Sequence, residues 1–370
     1  MKILLAAGLG FLADVSSLRT RLQRDLDALR VERGFPGATL GVALDGGDSF
    51  ALATGLADRE KEIAMPADAL LLQGSVGKTY VAAVALQLAD EGQLELDARI
   101  ATYVGDAPWF ARLPNGPDIT VRMLMNHTSG LVRYEFQEAF TKDLTAHPDK
   151  TWQPPELLEY ILGRTAPFAA GAGWEYSDTN YIVLALVVEK VTAKRLDALI
   201  RARLLIPLEL GRTVPSDRRR IDGLCPGYAG PENPFGGVDA MLVDGTMVIN
   251  PQFEWAGGGY ASSAEDLACW MRALQGGRIV DRVRLAEARR GVDAPLLGPG
   301  VKYGLGVIVL DTPVGAAYGH SGFFPGYCAE AYTFPRLRAS LALQINSSDI
   351  KKMGETPRSM LVRLAGALAR

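Results

Sequence analysis

Ser75 and Lys78, in Gly74-Ser75-Val76-Gly77-Lys78-Thr79, stand three residues apart, which is one turn of a helix. The adjoining run, Tyr80 to Ala89, is apolar on nearly all sides and reads as a buried helix. Burial penalises an ammonium, so a lysine here is expected to lose its proton more easily and to serve as a base. A base one turn from a hydroxyl is how a serine becomes a nucleophile. The spacing alone is a weak signal. Ser348 and Lys351 repeat it in a polar stretch, Asn346 to Lys352, with no apolar helix behind it.

Two further groups of residues supply context. Trp174-Glu175-Tyr176-Ser177-Asp178-Thr179-Asn180-Tyr181 stands at the entrance of a predicted helix, and Gly319-His320-Ser321-Gly322-Phe323 lies on a predicted late strand. Tyr176 can carry a proton if a neighbouring cation lowers its pKa. Asp178 has two readings that are compatible: a cap for the following helix, a role Ser177 could share, or an acceptor that holds Lys78 as an ammonium and repels anionic substrates.

In this order, Ser-x-x-Lys, Tyr-x-Asp and His-x-Gly resemble the elements of the penicillin-recognising serine hydrolases. The similarity is greater to the branch holding class C β-lactamases, D-alanyl-D-alanine carboxypeptidases and family VIII esterases. It runs from about Gly37 to Asn346. Two more segments carry it: Leu124-Met125-Asn126-His127-Thr128-Ser129-Gly130-Leu131, and Ala256-Gly257-Gly258 leading into Ser262-Ser263-Ala264-Glu265-Asp266-Leu267. The family has Asn where this chain has Asp178, and a rival parse takes Ser177-Asp178-Thr179 as a Ser-Asp-Asn element.

The resemblance implies that Ser75 is acylated, that Lys78 and Tyr176 handle its proton, and that the backbone N–H groups of Ser75 and Phe323 form an oxyanion hole. Which of Lys78 and Tyr176 is the base stays open. Asp178, His320, Ser321 and Gly322 would line the substrate, with Gly322 letting it lie against the strand. His127 is expected to hold its turn, the glycines 257–259 to permit close backbone approach, and Ser262-x-x-Glu265 to cap a helix. Trp255, Tyr260, Phe323, Phe324 and Tyr327 are candidates for an apolar acyl pocket or for the core.

The implied activity is hydrolysis of ester or amide (peptide-like) bonds through an acyl-enzyme, as in an esterase or a D-amino-acid peptidase or carboxypeptidase. A class C-like β-lactamase is the alternative. His320 in place of Lys and Asp178 in place of Asn furnish the site poorly for anionic β-lactams. A penicillin-binding receptor or a silent binding protein is the alternative of another class.

Composition narrows the partners. Net charge is -3 over 370 residues, and the sequence pI is about 5.8, which leaves no footprint for nucleic acid. Arg218-Arg219-Arg220, flanked by Asp217 and Asp222, reads as a solvated loop. Three widely spaced cysteines (Cys225, Cys269, Cys328) read as thiols, and three histidines (His127, His147, His320) make a metal site improbable. No cofactor is expected; the partner is a small-molecule or peptide-like substrate. A Walker A loop fails because Leu72 stands where glycine is needed. Gly-x-Ser-x-Gly fails at Gln73 and at Phe323.

The elements that must position these residues are legible in outline. Leu18, Leu22, Leu26 and Leu29 predict an amphipathic helix over 17–34. Strands Thr39–Leu44 and Phe50–Ala53 flank a hairpin turn, and further strands are expected at 304–310, 316–322, 327–334 and 340–346, before a helix from about 357 to 369. The fold class is α/β (α+β): an antiparallel sheet flanked by N- and C-terminal helices, with a large inserted all-helical lobe. The expected sheet lobe is 18–62 plus 296–370, the helical lobe 63–295, with the site in the cleft between them. Residues 1–17, one lysine followed by an apolar run, resemble a secretory signal, so a periplasmic or secreted protein is expected, with no membrane span.

Overall fold

The computed structural model describes residues 2–231, 233 and 239–369, with side chains from Val15 onward. The apolar run of the signal-like segment therefore lies outside the described side chains. Leu18, Leu22, Leu26 and Leu29 form the buried stripe of α1 (Lys2–Arg33). The chain then turns into β1 (Gly37–Leu44) and β2 (Ser49–Asp58), an antiparallel hairpin around Asp45-Gly46-Gly47-Asp48, extended by β3 (Ile63–Ala64).

The remaining strands of this sheet come from the other end of the sequence. They are β4 (Val292–Asp293), β5 (Lys302–Tyr303), β6 (Ile308–Thr312), β7 (Gly315–Phe324), β8 (Tyr327–Phe334) and β9 (Ala339–Ile345). The sheet order is β3-β2-β1-β9-β8-β7-β6-β5-β4, and β1 pairs antiparallel with β9, Leu40 opposite Leu343.

Both faces of the sheet are covered, which the strand sequences reflect. Ala38, Leu40 and Val42 of β1 and Leu341, Leu343 and Ile345 of β9 share a core with α1 and with α5 (Pro357–Gly366). Three other helices position the site. α2 (Lys78–Asp90) and α3 (Asp178–Thr192) are buried along most of their length and pack on each other. α4 (Ala264–Gln275) lies on the second face of the sheet, against β1, β8 and β9. Together these close the core under Ser75.

Helices and loops make up most of the segment 63–295, but not all of it. Leu71–Leu72, Tyr260–Ser262 and Thr213–Pro215 form a three-stranded antiparallel sheet, and Leu242–Val243 pairs with Thr246–Met247. Strands of two or three residues are too short for an alternating pattern to be read. Moreover β3 and β4 belong to the large sheet although they fall within 63–295. The helix cap also moves by one residue: Ser263, not Ser262, accepts from the N–H of Asp266 (3.2 Å), while Glu265 receives the Ser49 hydroxyl (2.7 Å).

The arginine run is more than a solvated loop. Arg219 donates to the Met247 carbonyl (2.6 Å) and Arg220 to that of Asp244 (2.8 Å). The three cysteines are free thiols. Among the described residues no helix is long and apolar enough to cross a membrane.

Candidate active site

Ser75 lies in a 3₁₀ turn, Gly74–Gly77, that runs directly into α2 at Lys78. In a 3₁₀ turn residues i and i+3 eclipse, so Lys78 folds back over Ser75. Its Nζ donates to Ser75 Oγ at 2.9 Å, makes a short contact with the carbonyl of Gly257, and stands 2.6 Å from Asp178 Oδ1. The lysine is fully buried.

The charge state of Lys78 differs from the expectation. Burial alone would pull its pKa down, but the opposing charge of Asp178, joined by Tyr176, outweighs burial and holds it above the ordinary lysine value. Burial would raise Asp178 in turn, and Lys78 and Arg133 more than offset it, so the aspartate is held below its usual range. Lys78 is therefore an ammonium that donates to the serine. Asp178 is the first residue of α3; Ser177 takes the N-cap place without a side-chain cap bond. Between the two readings of Asp178, the geometry favours the counterion.

Tyr176 is brought beside the same pair. Lys78 Nζ lies 5.0 Å from the centre of its ring. Its buried hydroxyl makes no well-aligned hydrogen bond, although Ser75 and Lys78 both act on it. Burial raises the phenol pKa more than Lys78 lowers it, contrary to the net lowering expected. The ring stacks on His127, centroids 4.3 Å apart. His127 accepts from Asn180 Nδ2 (3.0 Å) and from the N–H of Ser177 (3.3 Å), and so ties its turn to the entrance of α3.

The late strand, β7, lies against the serine turn. Side chains alternate along it, and this separates the predicted trio. His320 is buried, with Nε2 2.8 Å from Tyr303 Oη and Nδ1 2.6 Å from the Ser321 carbonyl oxygen. Burial and the Lys78 charge push its pKa down to about 3, so it is a neutral wall and not a cationic contact. Ser321 points the other way. Its hydroxyl donates to Glu330 Oε2 (2.6 Å), meets Tyr332 Oη (3.0 Å) and receives Arg358 (3.0 Å). The hydroxyl is thus engaged away from His320.

Gly322 packs tightly on the serine turn, since a Cβ there would fall 1.9 Å from the carbonyl oxygen of Gln73. At Gly258 a Cβ would meet the Ser75 nitrogen at 3.0 Å, so the glycine run 257–259 does bring backbone against backbone. Phe323 backbone atoms abut Gly74, next to Ser75, and its ring is half exposed. The second Ser-x-x-Lys has a different setting: Ser348 Oγ accepts from the N–H of Gly326 (2.9 Å) in a loop.

The Beta-lactamase family profile matches residues 21–364. The chain belongs to the Beta-lactamase family. Esterase EstB of Burkholderia gladioli is 30% identical over 350 residues, 85% of this chain and 88% of that protein. A D-stereospecific amidohydrolase from Streptomyces sp. superposes with a TM-score of 0.77 at 30% identity, covering 90% of this chain and 96% of that one. The D-amino acid amidase of Ochrobactrum anthropi SV3, complexed with D-phenylalanine, gives a TM-score of 0.81 at 25% identity over 95% of this chain and 99% of that one. Like its relatives in the Beta-lactamase family, the protein is a serine hydrolase, a class that works through an acyl-enzyme.

The structure adds residues to this Beta-lactamase site that no motif marked, and a carbonyl contact to the marked Gly257. Tyr303 packs against His127, Tyr176 and His320. Gly257 supplies a carbonyl acceptor to Lys78. Arg133, Glu135 and Glu254 share the electrostatic surroundings of Asp178. No short spacing links these to Ser75, since each arrives from a distant part of the chain.

Proposed function

We propose that Ser75 attacks an ester or amide carbonyl and that Lys78, as an ammonium, and Tyr176 manage the proton. The observation that carries this reading is the placement of Lys78 Nζ between Ser75 Oγ and Asp178 Oδ1, at 2.9 and 2.6 Å. An ammonium donates but does not accept. The proton of Ser75 then passes to the Tyr176 oxygen when that group is a phenolate, whose charge Lys78 stabilises. Tyr176 returns the proton to the leaving alcohol or amine. In deacylation the same oxygen takes a proton from water, which attacks the acyl carbon, and then hands that proton to Ser75 Oγ as the acyl bond breaks.

The backbone N–H groups of Ser75 and Phe323 are the proposed oxyanion donors, supported by the tight contact of Gly74 with Phe323. Asp178 and His320 are the proposed substrate-side walls, in the cleft between the sheet and the inserted lobe. A negative Asp178 and a neutral His320 suit neutral or cationic acyl groups better than anionic β-lactams. The esterase and the D-amino-acid amidases among the similar proteins support an ester or small amide as substrate. For location, we propose export on the signal-like segment.

The test is a side-by-side assay of p-nitrophenyl butyrate, nitrocefin and a D-alanyl-D-alanine peptide, with Ser75→Ala as control and a fluorophosphonate label to mark the nucleophile. Ser75-dependent ester turnover is expected. Nitrocefin turnover without ester turnover would overturn the ranking, and labelling without turnover would favour a receptor.

A further inference from the structure

Tyr176 needs positive charge around it to work as a phenolate. Lys78 Nζ lies 5.0 Å from the centre of its ring, and the guanidinium carbon of Arg133 lies 5.5 Å from it. Lys78 is matched by Asp178 at 2.6 Å, so that pair leaves little net charge. The other rings around Tyr176 add none. His127 and His320 are held neutral by burial, and burial keeps Tyr303 and Tyr181 protonated. β7 therefore supplies no cation, and Arg133 is the charge left over.

Arg133 is fixed in place by α3. Thr179, the residue after Asp178, accepts from the Tyr134 N–H (3.1 Å) and donates to the Val132 carbonyl (2.7 Å). The chain on both sides of Arg133 is thus tied to the first turn of the helix. Gln137 Nε2 donates to the Arg133 carbonyl (2.7 Å), and the guanidinium carbon also stands 3.8 Å from the centre of the Phe136 ring. Burial opposes the charge on Arg133, but Glu135, Asp178 and a Tyr176 phenolate more than offset it. Its Nε donates to Glu135 Oε1 at 2.6 Å. Glu135 is the variable in this group. Burial, with the Asp178 charge, pushes it up to about 7, so it is neutral below that pH and cancels Arg133 above it. Glu254 lies in the field of Asp178, Lys78 and Glu135 and titrates at about 8, and the Tyr134 hydroxyl, kept protonated by burial, donates to the Phe253 carbonyl (2.8 Å).

We propose that Arg133 is a positioning residue for Tyr176: its guanidinium supplies the net positive charge that the Lys78–Asp178 pair does not, and its ion pair with Glu135 sets how much of that charge the phenolate feels. The inference rests on the reading of Tyr176 as the group that takes the Ser75 proton. A full charge at this distance moves a phenol pKa by on the order of one unit, which is about ten-fold in the phenolate fraction.

The test is kcat/KM for p-nitrophenyl butyrate from pH 6 to pH 9. Glu135→Gln puts a neutral side chain in place of the carboxyl. It should match wild type at pH 6, where Glu135 is uncharged, and exceed it by roughly three-fold or more at pH 9, where the wild-type carboxylate cancels Arg133. Arg133→Met keeps the length and removes the charge. Its kcat/KM should fall about ten-fold at pH 6, and the deficit should narrow toward pH 9, because wild type loses the benefit there too. Glu254 is unchanged throughout and drops out of the comparison. A side chain that only packs gives a loss independent of pH. Equal deficits at pH 6 and pH 9 in Arg133→Met, or no gain at pH 9 in Glu135→Gln, overturn the proposal; if Arg133→Met does not fold, Glu135→Gln alone decides it. A Tyr176→Phe enzyme that keeps its kcat instead overturns the reading of Tyr176, so the two failures are distinguishable.

Discussion

Lys78 Nζ stands 2.6 Å from Asp178 Oδ1 inside the core, and this pair sets the charge of the site. Replacing the carboxylate by an amide removes what holds Lys78 protonated. Burial then dominates, and the lysine sheds its proton at lower pH. Because the Lys78 ammonium stabilises the Tyr176 phenolate, the descending limb of kcat/KM against pH in Asp178→Asn is expected to move to lower pH. The nitrocefin to p-nitrophenyl butyrate ratio should rise roughly ten-fold, since ten-fold corresponds to about 1.4 kcal/mol, a modest charge repulsion. An unchanged ratio and profile would show that Asp178 does no more than begin α3.

Tyr176 is expected to be indispensable for proton transfer. Tyr176→Phe keeps the ring that stacks on His127 and removes only the oxygen. Its kcat should fall by about 10²- to 10⁴-fold, the usual range for a general acid–base group. Loss of less than ten-fold, measured on p-nitrophenyl butyrate, would pass the role to another group.

Gly322→Ala tests whether β7 must touch the serine turn. The new Cβ would fall 1.9 Å from the Gln73 carbonyl oxygen, a backbone atom that cannot swing aside. Overpacking of this kind costs about 1–3 kcal/mol. Thermal unfolding should show a lowered Tm, and kcat should drop more than ten-fold as Ser75 shifts.

The buried Glu330 makes stability depend on pH. Burial pushes it up to about 7 from an ordinary value of 4.5. Between those two values the folded protein holds more protons than the unfolded chain, so stability falls as pH rises through that window. Its contribution is complete below pH 4.5 and gone above about 7. Tm is expected to decline from pH 5 to pH 8, with a shallower decline in Glu330→Gln. An equal slope in the variant would mean that Glu330 keeps its ordinary pKa.

His320 should stay neutral through the physiological range. With its pKa pushed down to about 3 by burial and Lys78, its ¹⁵N NMR shifts are expected to hold constant from pH 5 to pH 8. A titration step near pH 6.5, the ordinary imidazole value, would mean that the ring reaches water.

Local pattern is the legible part. Leu18 to Leu29 repeat at helical spacing because one face of α1 is buried, and the bounds of strand 327–334 can be read because Gly326 and Pro335 punctuate a wholly buried run. Ser75, Lys78, Tyr176 and His320 stand out as short motifs, and the structure brings them into one place. Ser321 turns its side chain away from His320 because adjacent strand residues face opposite sides, and which side meets the site depends on what packs there.

By itself the sequence determined the spacing of Ser75 and Lys78, the apolar helix behind them and the order of the three elements, since these are properties of neighbouring residues. Only the tertiary structure decided the proton on Lys78. The expected neutral base became an ammonium because Asp178, far along the chain, comes within 2.6 Å. Glu135, Glu254 and the Gly257 carbonyl join the same few ångströms by folding alone. A pKa is set by every charge and dipole within that distance, and one-dimensional spacing contains none of the distant ones.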